Sequence, residues 1–205
     1  MMTNLIVISG PSGSGKSTLI RRLLEKHREI VFSVSHTTRP RREREIDGKD
    51  YYFVSVDQFK QMIANNEFVE YAEVFGNYYG TSYREIETRG NANYNNFLAL
   101  DIDVQGARNI RKKYLEALFI FIIPPSLEEL QNRLLKREKK EDENTRKRLE
   151  IARQELKEYE IYDYIVVNKN LDQAFFILNS IYTAYRNTTA RREYFIKRLL
   201  AGGKE

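Results

Sequence analysis

Residues 10 to 18 read GPSGSGKST, and Gly10, Gly15, Lys16 and Ser17 satisfy the spacing G-x-x-x-x-G-K-[ST]. Glycines spaced in this way let successive backbone N–H groups curl round an anion, because no Cβ stands in the path. Lys16 adds a full positive charge, and Ser17 adds a hydroxyl suited to a magnesium ion. Gly10, Pro11, Ser12, Gly13, Ser14, Gly15, Lys16, Ser17 and Thr18 are therefore expected to hold a nucleoside triphosphate by its phosphates. A chance match in a chain of this length has a probability on the order of one per cent. Context lowers it further. The apolar run LIVIS precedes the motif as a strand should, and Leu19, Ile20, Leu23 and Leu24 mark one face of a helix after it. An anion in the loop then rests on a helix N-terminus, where free N–H donors and the helix dipole both favour it. A second candidate is Asp101, which ends the run FLALD and so brings a carboxylate to the edge of a buried strand beside the loop. It suits the outer shell of a magnesium ion, through water; the weaker alternative is a cap on the helix that follows.

Other chemistries find little material. The chain has 205 residues and no cysteine, so disulfides and thiolate zinc sites are excluded. His27 and His36 are its two histidines and stand apart, which argues against a histidine metal site or a serine–histidine triad. Thirty-four Lys plus Arg against 29 Asp plus Glu give a net charge of +5, which favours an anionic partner without naming it. The start of the chain does not resemble an export signal and no apolar run approaches membrane-spanning length, so a cytoplasmic protein with no membrane partner is expected.

The elements that must position these residues read as an alternation. Apolar runs at 5–9, 30–34, 97–102, 117–123 and 164–167 are rich in Ile, Val and Phe, as strands covered on both faces should be. Helical patterns separate most of them. SLEE at 126–129 has the form of a capping box, and Ala174, Phe175, Leu178, Ile181, Tyr182 and Tyr185 mark another helix face. Strands alternating with helices predict a parallel sheet covered on both sides. About sixty residues after the second strand break this rhythm. YYFVSV, FVEYAEVF and a turn at GNYYG predict a small antiparallel or mixed sheet, with a short helix from SVDQ onward. NANYNN at 91–96 reads as a surface loop, and the charged stretch 136–148 as a solvated helix or mobile loop.

Four segments, SVSHTTRPRRERE, GKDYYF, NEFVEYAEVFGNYYGTS and LDIDVQGA, resemble the guanylate kinase family in order and nearly in spacing, over about Leu5 to Asn168. The resemblance implies an α/β fold of the P-loop NTPase type in three layers, α/β/α. It has a parallel five-stranded core sheet, an inserted small mixed-sheet region that binds GMP, and a mobile helical lid. It implies one domain over residues 1–205: a core of about 1–35, 97–132 and 160–205, the insertion at about 36–96 and the lid at about 133–159. Arg39, Arg42, Tyr51 and Tyr79 fall on the family's clamp for the monophosphate, where arginine forks fit phosphate oxygens and tyrosine hydroxyls add donors. Glu70 and Asp103 match its guanine acceptors, with Ser35 and Thr81 as hydroxyl partners. Arg133, Arg137 and Arg148 match lid and ATP-side positions, and Asn168 the adenine side, although a turn asparagine would read the same way. The implied reaction is ATP + GMP = ADP + GDP, with dGMP as a second acceptor and magnesium held near Ser17 and Asp101. Lys16, Arg42, Arg137 and Arg148 would supply positive charge around the transferring group.

No general base is required, since the acceptor phosphate has a second pKa of about 6 and is already anionic near neutral pH. Two positions depart from the family pattern. Pro40 comes one place early with Arg44 where glycine is usual, and Glu138 stands where a glycine commonly follows Arg137. Three alternatives remain at this level: a non-catalytic binding module, which typically lacks the loop lysine; a nucleic-acid binder, which leaves Glu70 and Asp103 unexplained; and a kinase of a phosphorylated sugar. Sequence leaves monomer and homo-oligomer equally open, and the C-terminal ARREYFIKRLLAGGKE free to pack, pair or fray.

Overall fold

The computed structural model describes residues 4–74, 76–90, 96–138 and 143–202, with backbone alone for 137, 138, 143 and 144. In chain order its elements are β1 (Leu5–Ser9), α1 (Lys16–Lys26) and β2 (Ile30–Phe32), followed by β3 (His36–Thr37), β4 (Tyr52–Phe53), α2 (Val56–Ala64), β5 (Phe68–Val74), β6 (Asn77–Ser82) and α3 (Tyr83–Glu85). After a π-helical turn at Ile86–Gly90 come β7 (Phe97–Asp101), α4 (Val104–Lys113), β8 (Leu118–Ile123), α5 (Leu127–Glu138) and α6 (Glu143–Leu156), and finally β9 (Tyr164–Val167), α7 (Leu171–Arg186) and α8 (Thr189–Leu200).

The five apolar runs form one parallel sheet in the order β2-β7-β1-β8-β9. All of β1 is buried, because α1 and α7 cover one face while α4 and Tyr162 cover the other. That double covering is why its sequence shows no polar alternation. β1 lies at the centre, so the loop after it opens at the carboxyl edge between the ends of β7 and β8, where open α/β sheets bind ligands.

The second sheet has the order β4-β3-β6-β5, with β3 and β4 parallel and the other pairs antiparallel, a mixed sheet as expected. Phe59 of α2 stacks on Phe68 at 4.4 Å and on Tyr78 at 5.4 Å, pinning the helix to the sheet. A full reciprocal capping box opens α2 at Ser55 and Gln58. SLEE forms only half of one: Ser126 Oγ accepts from the Glu129 amide, but the Glu129 carboxylate turns to Arg133. In GNYYG the chain turns at Gly76 (φ 75°), and the rest is strand, because Tyr78 and Tyr79 pair into the sheet. Residues 91–95 of the expected surface loop lie outside the described residues.

In the C-terminal segment α8 spans Thr189–Leu200, and none of its residues is buried. It attaches through Arg191, whose guanidinium reaches Asn4 and lies 3.9 Å from the centre of the Tyr185 ring. Among the described residues no helix is long and apolar enough to cross a membrane.

Candidate active site

A cavity of about 670 Å³ runs along the carboxyl edge of the parallel sheet, between the loop at 10–18 and the small sheet. At one end Gly15 is the N-cap of α1 in the left-handed region (φ 91°), so the helix begins at Lys16 with its N–H groups aimed into the loop. No acidic residue occupies the first turn, which leaves the dipole to an incoming anion. Lys16 Nζ donates to Gly10 O at 3.1 Å and pairs with Asp101 Oδ1 at 3.2 Å, so the end of β7 does place Asp101 beside the cradle.

The loop is braced from behind. Asn168 is buried and its Nδ2 donates to Ser14 O at 2.7 Å, while Arg133 Nη2 donates to Asn168 O at 2.8 Å. A Cβ on Gly15 would come within 2.2 Å of Asn168 Nδ2, so this glycine is required by close approach as well as by its φ. Arg133 also lines the cavity; Asn168 and Ser14 stand behind its wall.

Toward the small sheet, Arg39, Tyr51 and Tyr79 converge. Arg39 Nη2 bonds Glu45 Oε1 at 2.7 Å, and its guanidinium lies 5.4 Å from the Tyr51 ring centre. Burial pushes the Tyr51 hydroxyl up to about 12, so it remains a proton donor at neutral pH. Glu45 holds the whole turn, since its other oxygen accepts from the Arg42 amide at 2.8 Å. Arg42 itself reaches the cavity rim with its side chain 62% exposed. Arg44 has no left-handed backbone, so the turn closes without the glycine usual there.

At the far end two carboxylates meet. Glu70 is 5% exposed and its Oε1 accepts from the Thr81 amide at 2.9 Å. Asp103 caps α4 by accepting from the Gly106 amide at 2.7 Å. Ser35 and Thr81 hydroxyls stand 3.5 Å apart beside them. Ser35, Glu70 and Asp103 line the cavity, whereas Thr81 is fully buried behind it. Burial pushes Glu70 up to about 7, with the Asp103 charge adding to the rise and the Thr81 hydrogen bonds opposing it. Burial also raises Asp103, against the pull of the Gly106 amide and Lys16. The two acids can approach because position 106 is glycine: a Cβ there would lie 2.5 Å from Glu70 Oε2 and 3.3 Å from Asp103 Oδ1.

Glu70 faces inward because of a bulge. Phe68 pairs with Ser82 but Glu70 pairs with Thr81, which leaves Val69 as an extra residue and buries 68, 69 and 70 in succession. Lys113 at the end of α4 donates to the bulged Val69 carbonyl at 2.7 Å. Sequence reasoning assigned no role to Lys113, Gly106 or Glu45; Glu45, closing the stretch RPRRERE directly after Arg44, was the one readable signal among them. Of the lid positions, Arg148 lines the cavity together with Ile151 and Glu155. Arg137 lies in α5, and its side chain falls outside the described residues, as does that of Glu138.

Among known proteins, the sequence model of a family described as guanylate kinase matches residues 2–185. The chain is 41% identical over 202 residues to the guanylate kinase of Carboxydothermus hydrogenoformans, covering 97% of this chain and 96% of that one. With that of Geobacter sulfurreducens it shares 46% over 187 residues, 91% of each. The crystal structure of guanylate kinase from Anaplasma phagocytophilum superposes with a TM-score of 0.75 at 36% identity, covering 95% of this chain and 94% of that one. The glycine-rich loop at 10–18, the group formed by Arg39, Tyr51 and Tyr79, and the paired carboxylates thus occur on a chain that, along nearly its whole length, belongs to the guanylate kinase family.

Proposed function

We infer that this protein transfers the γ-phosphoryl group of ATP to GMP, forming ADP and GDP, and that dGMP serves as a second acceptor. The observation that supports this best is one cavity with a phosphate cradle at one end and two converging acids at the other. Guanine presents N–H donors at N1 and N2, which carboxylates accept. Adenine presents a lone pair at N1 and would leave a buried acid unpaired, at a cost of about 1–3 kcal/mol or more.

In this reading Glu70 and Asp103 take the guanine donors, the Ser35 hydroxyl serves O6, and Thr81, behind the cavity wall, holds Glu70 in place. Arg39, Arg42, Tyr51 and Tyr79 hold the monophosphate, whose oxygen attacks without a general base. Residues 10–18 hold the triphosphate, with Arg133 and Asn168 keeping the loop in shape. Phosphate oxygens displace the Gly10 carbonyl as the partner of Lys16, which then follows charge onto the transferring group. Arg137 and Arg148 add further charge and exclude water as residues 133–159 close as a lid over the core and the insertion at 36–96.

Magnesium fits the residues present: Ser17 and Asp101 offer hard oxygens beside the loop. Among the described residues no cluster of three or more ligating side chains could hold a metal alone. That suits an ion carried mainly by phosphates and water, which when bound neutralises charge on the phosphates. The reading needs neither nucleic acid nor membrane, and a cysteine-free chain suits the cytoplasm. The test is ADP release with magnesium, ATP and each of GMP, dGMP, AMP and UMP. Turnover should follow guanine; equal rates with GMP and AMP would reject the assigned base readers.

A further inference from the structure

Five carboxylates line the cavity: Glu45, Glu70, Asp101, Asp103 and Glu155. Four are engaged, by Arg39, the Thr81 amide, Lys16 and the Gly106 amide respectively. The half-buried Glu155 carboxylate accepts no hydrogen bond and forms no ion pair among the described residues. Burial pushes it up to about 7, with Lys16 pulling down and Asp103 pushing up, which places it within the fields of both. An unpartnered acid at such a place needs a donor that arrives with the ligand.

Its position narrows the donor. Arg148, Ile151 and Glu155 all line the cavity, at i, i+3 and i+7 on one face of α6. From 148 to 155 the helix rises roughly 10 Å, comparable to the reach from a phosphate across the sugar of a nucleoside monophosphate. Phosphate oxygens would repel a carboxylate, and the guanine N–H groups already face Glu70 and Asp103. The O–H donors that remain between base and phosphate belong to the sugar. Ile151, 41% exposed, gives the sugar an apolar wall one turn away.

We propose that Glu155 is a specificity-determining residue that accepts a hydrogen bond from the ribose hydroxyls of the acceptor nucleotide, so that the ribonucleotide is preferred over its deoxy forms. The proposal rests on the acceptor being GMP, as argued above.

The test compares GMP, dGMP and 2′,3′-dideoxy-GMP as acceptors for the unmodified protein, Glu155→Ala and Glu155→Gln, with calorimetry of each nucleotide binding. In the unmodified protein KM for the dideoxy nucleotide should exceed that for GMP by roughly ten- to a hundredfold, the effect of a hydrogen bond to a charged group. In Glu155→Ala the ratio should fall to near one, because GMP worsens while the dideoxy form is unchanged. Glu155→Gln, which keeps an acceptor oxygen, should retain part of the preference. The dGMP values then divide the effect between the 2′ and 3′ hydroxyls. An unchanged ratio in Glu155→Ala, or an equal loss for all three nucleotides, would overturn the proposal and assign Glu155 to the lid or to Lys16. Absence of turnover with GMP in the unmodified protein would instead remove the acceptor reading itself.

Discussion

Glu70→Gln tests the proposed guanine recognition with little change of shape, and the structure dictates how the new side chain must sit. The Thr81 amide needs an acceptor, which Glu70 Oε1 supplies at 2.9 Å. The glutamine oxygen takes that place, so its NH2 group occupies the former Oε2 position and faces the base. The hydrogen bond from guanine to that charged oxygen becomes a contact between donors. Loss of one such bond costs about 1.5–3 kcal/mol, and a buried donor left unpaired costs about 1–3 more. At about 1.4 kcal/mol per tenfold, kcat/KM for GMP should fall roughly a hundredfold or more, mostly through KM. AMP, whose N1 is an acceptor, should gain relative to GMP. The assay is initial rate against concentration for both nucleotides. A variant with the KM of the unmodified protein for GMP would refute the assignment, because no alternative seat for the amide satisfies Thr81.

The same substitution has a stability signature. Glu70 rises from 4.5 to about 7 on folding, so its stabilising contribution is complete below pH 4.5 and is lost as pH climbs to about 7. Without nucleotide, Glu70→Gln should therefore gain stability relative to the unmodified protein between pH 5 and pH 8, on the order of a few kcal/mol. Urea midpoints at the two pH values check this, and a constant difference would contradict it. Lys16→Ala should keep the thermal transition yet lower kcat by roughly a thousandfold or more, as charge on the transferring group is lost; unchanged turnover would count against its role. Gly106→Ala should impair GMP binding by at least tenfold, since the methyl group would press on Glu70 Oε2, while ATP binding measured by calorimetry stays as it was. Arg137→Ala should lower kcat by roughly three orders of magnitude or more with KM for GMP little changed, and a pure KM effect would move this arginine out of the transfer step.

Much of this was legible in the sequence because its causes are local. The loop at 10–18 lies within nine consecutive residues, whose glycine spacing and following helix are set by neighbours along the chain. The strands of the parallel sheet were readable because burial on both faces demands unbroken apolar runs, and Asp101 followed from its place at the end of one. The clamp and lid assignments came from resemblance alone, and Arg137 still rests on it.

Tertiary structure decided what no local pattern expresses. FVEYAEVF carries acids on both faces, so alternation leaves Glu70 ambiguous; the bulge at Val69, tied by Lys113 from α4, turns it inward. Asn168 joins the loop only because β9 returns 154 positions later to set its amide on Ser14. Gly106, in α4, acquires its meaning from Glu70, in the small sheet. Sequence thus determined the pieces whose geometry depends on neighbours along the chain. Packing determined which side chains share a cavity, because burial, charge and close approach act between residues that only folding brings together.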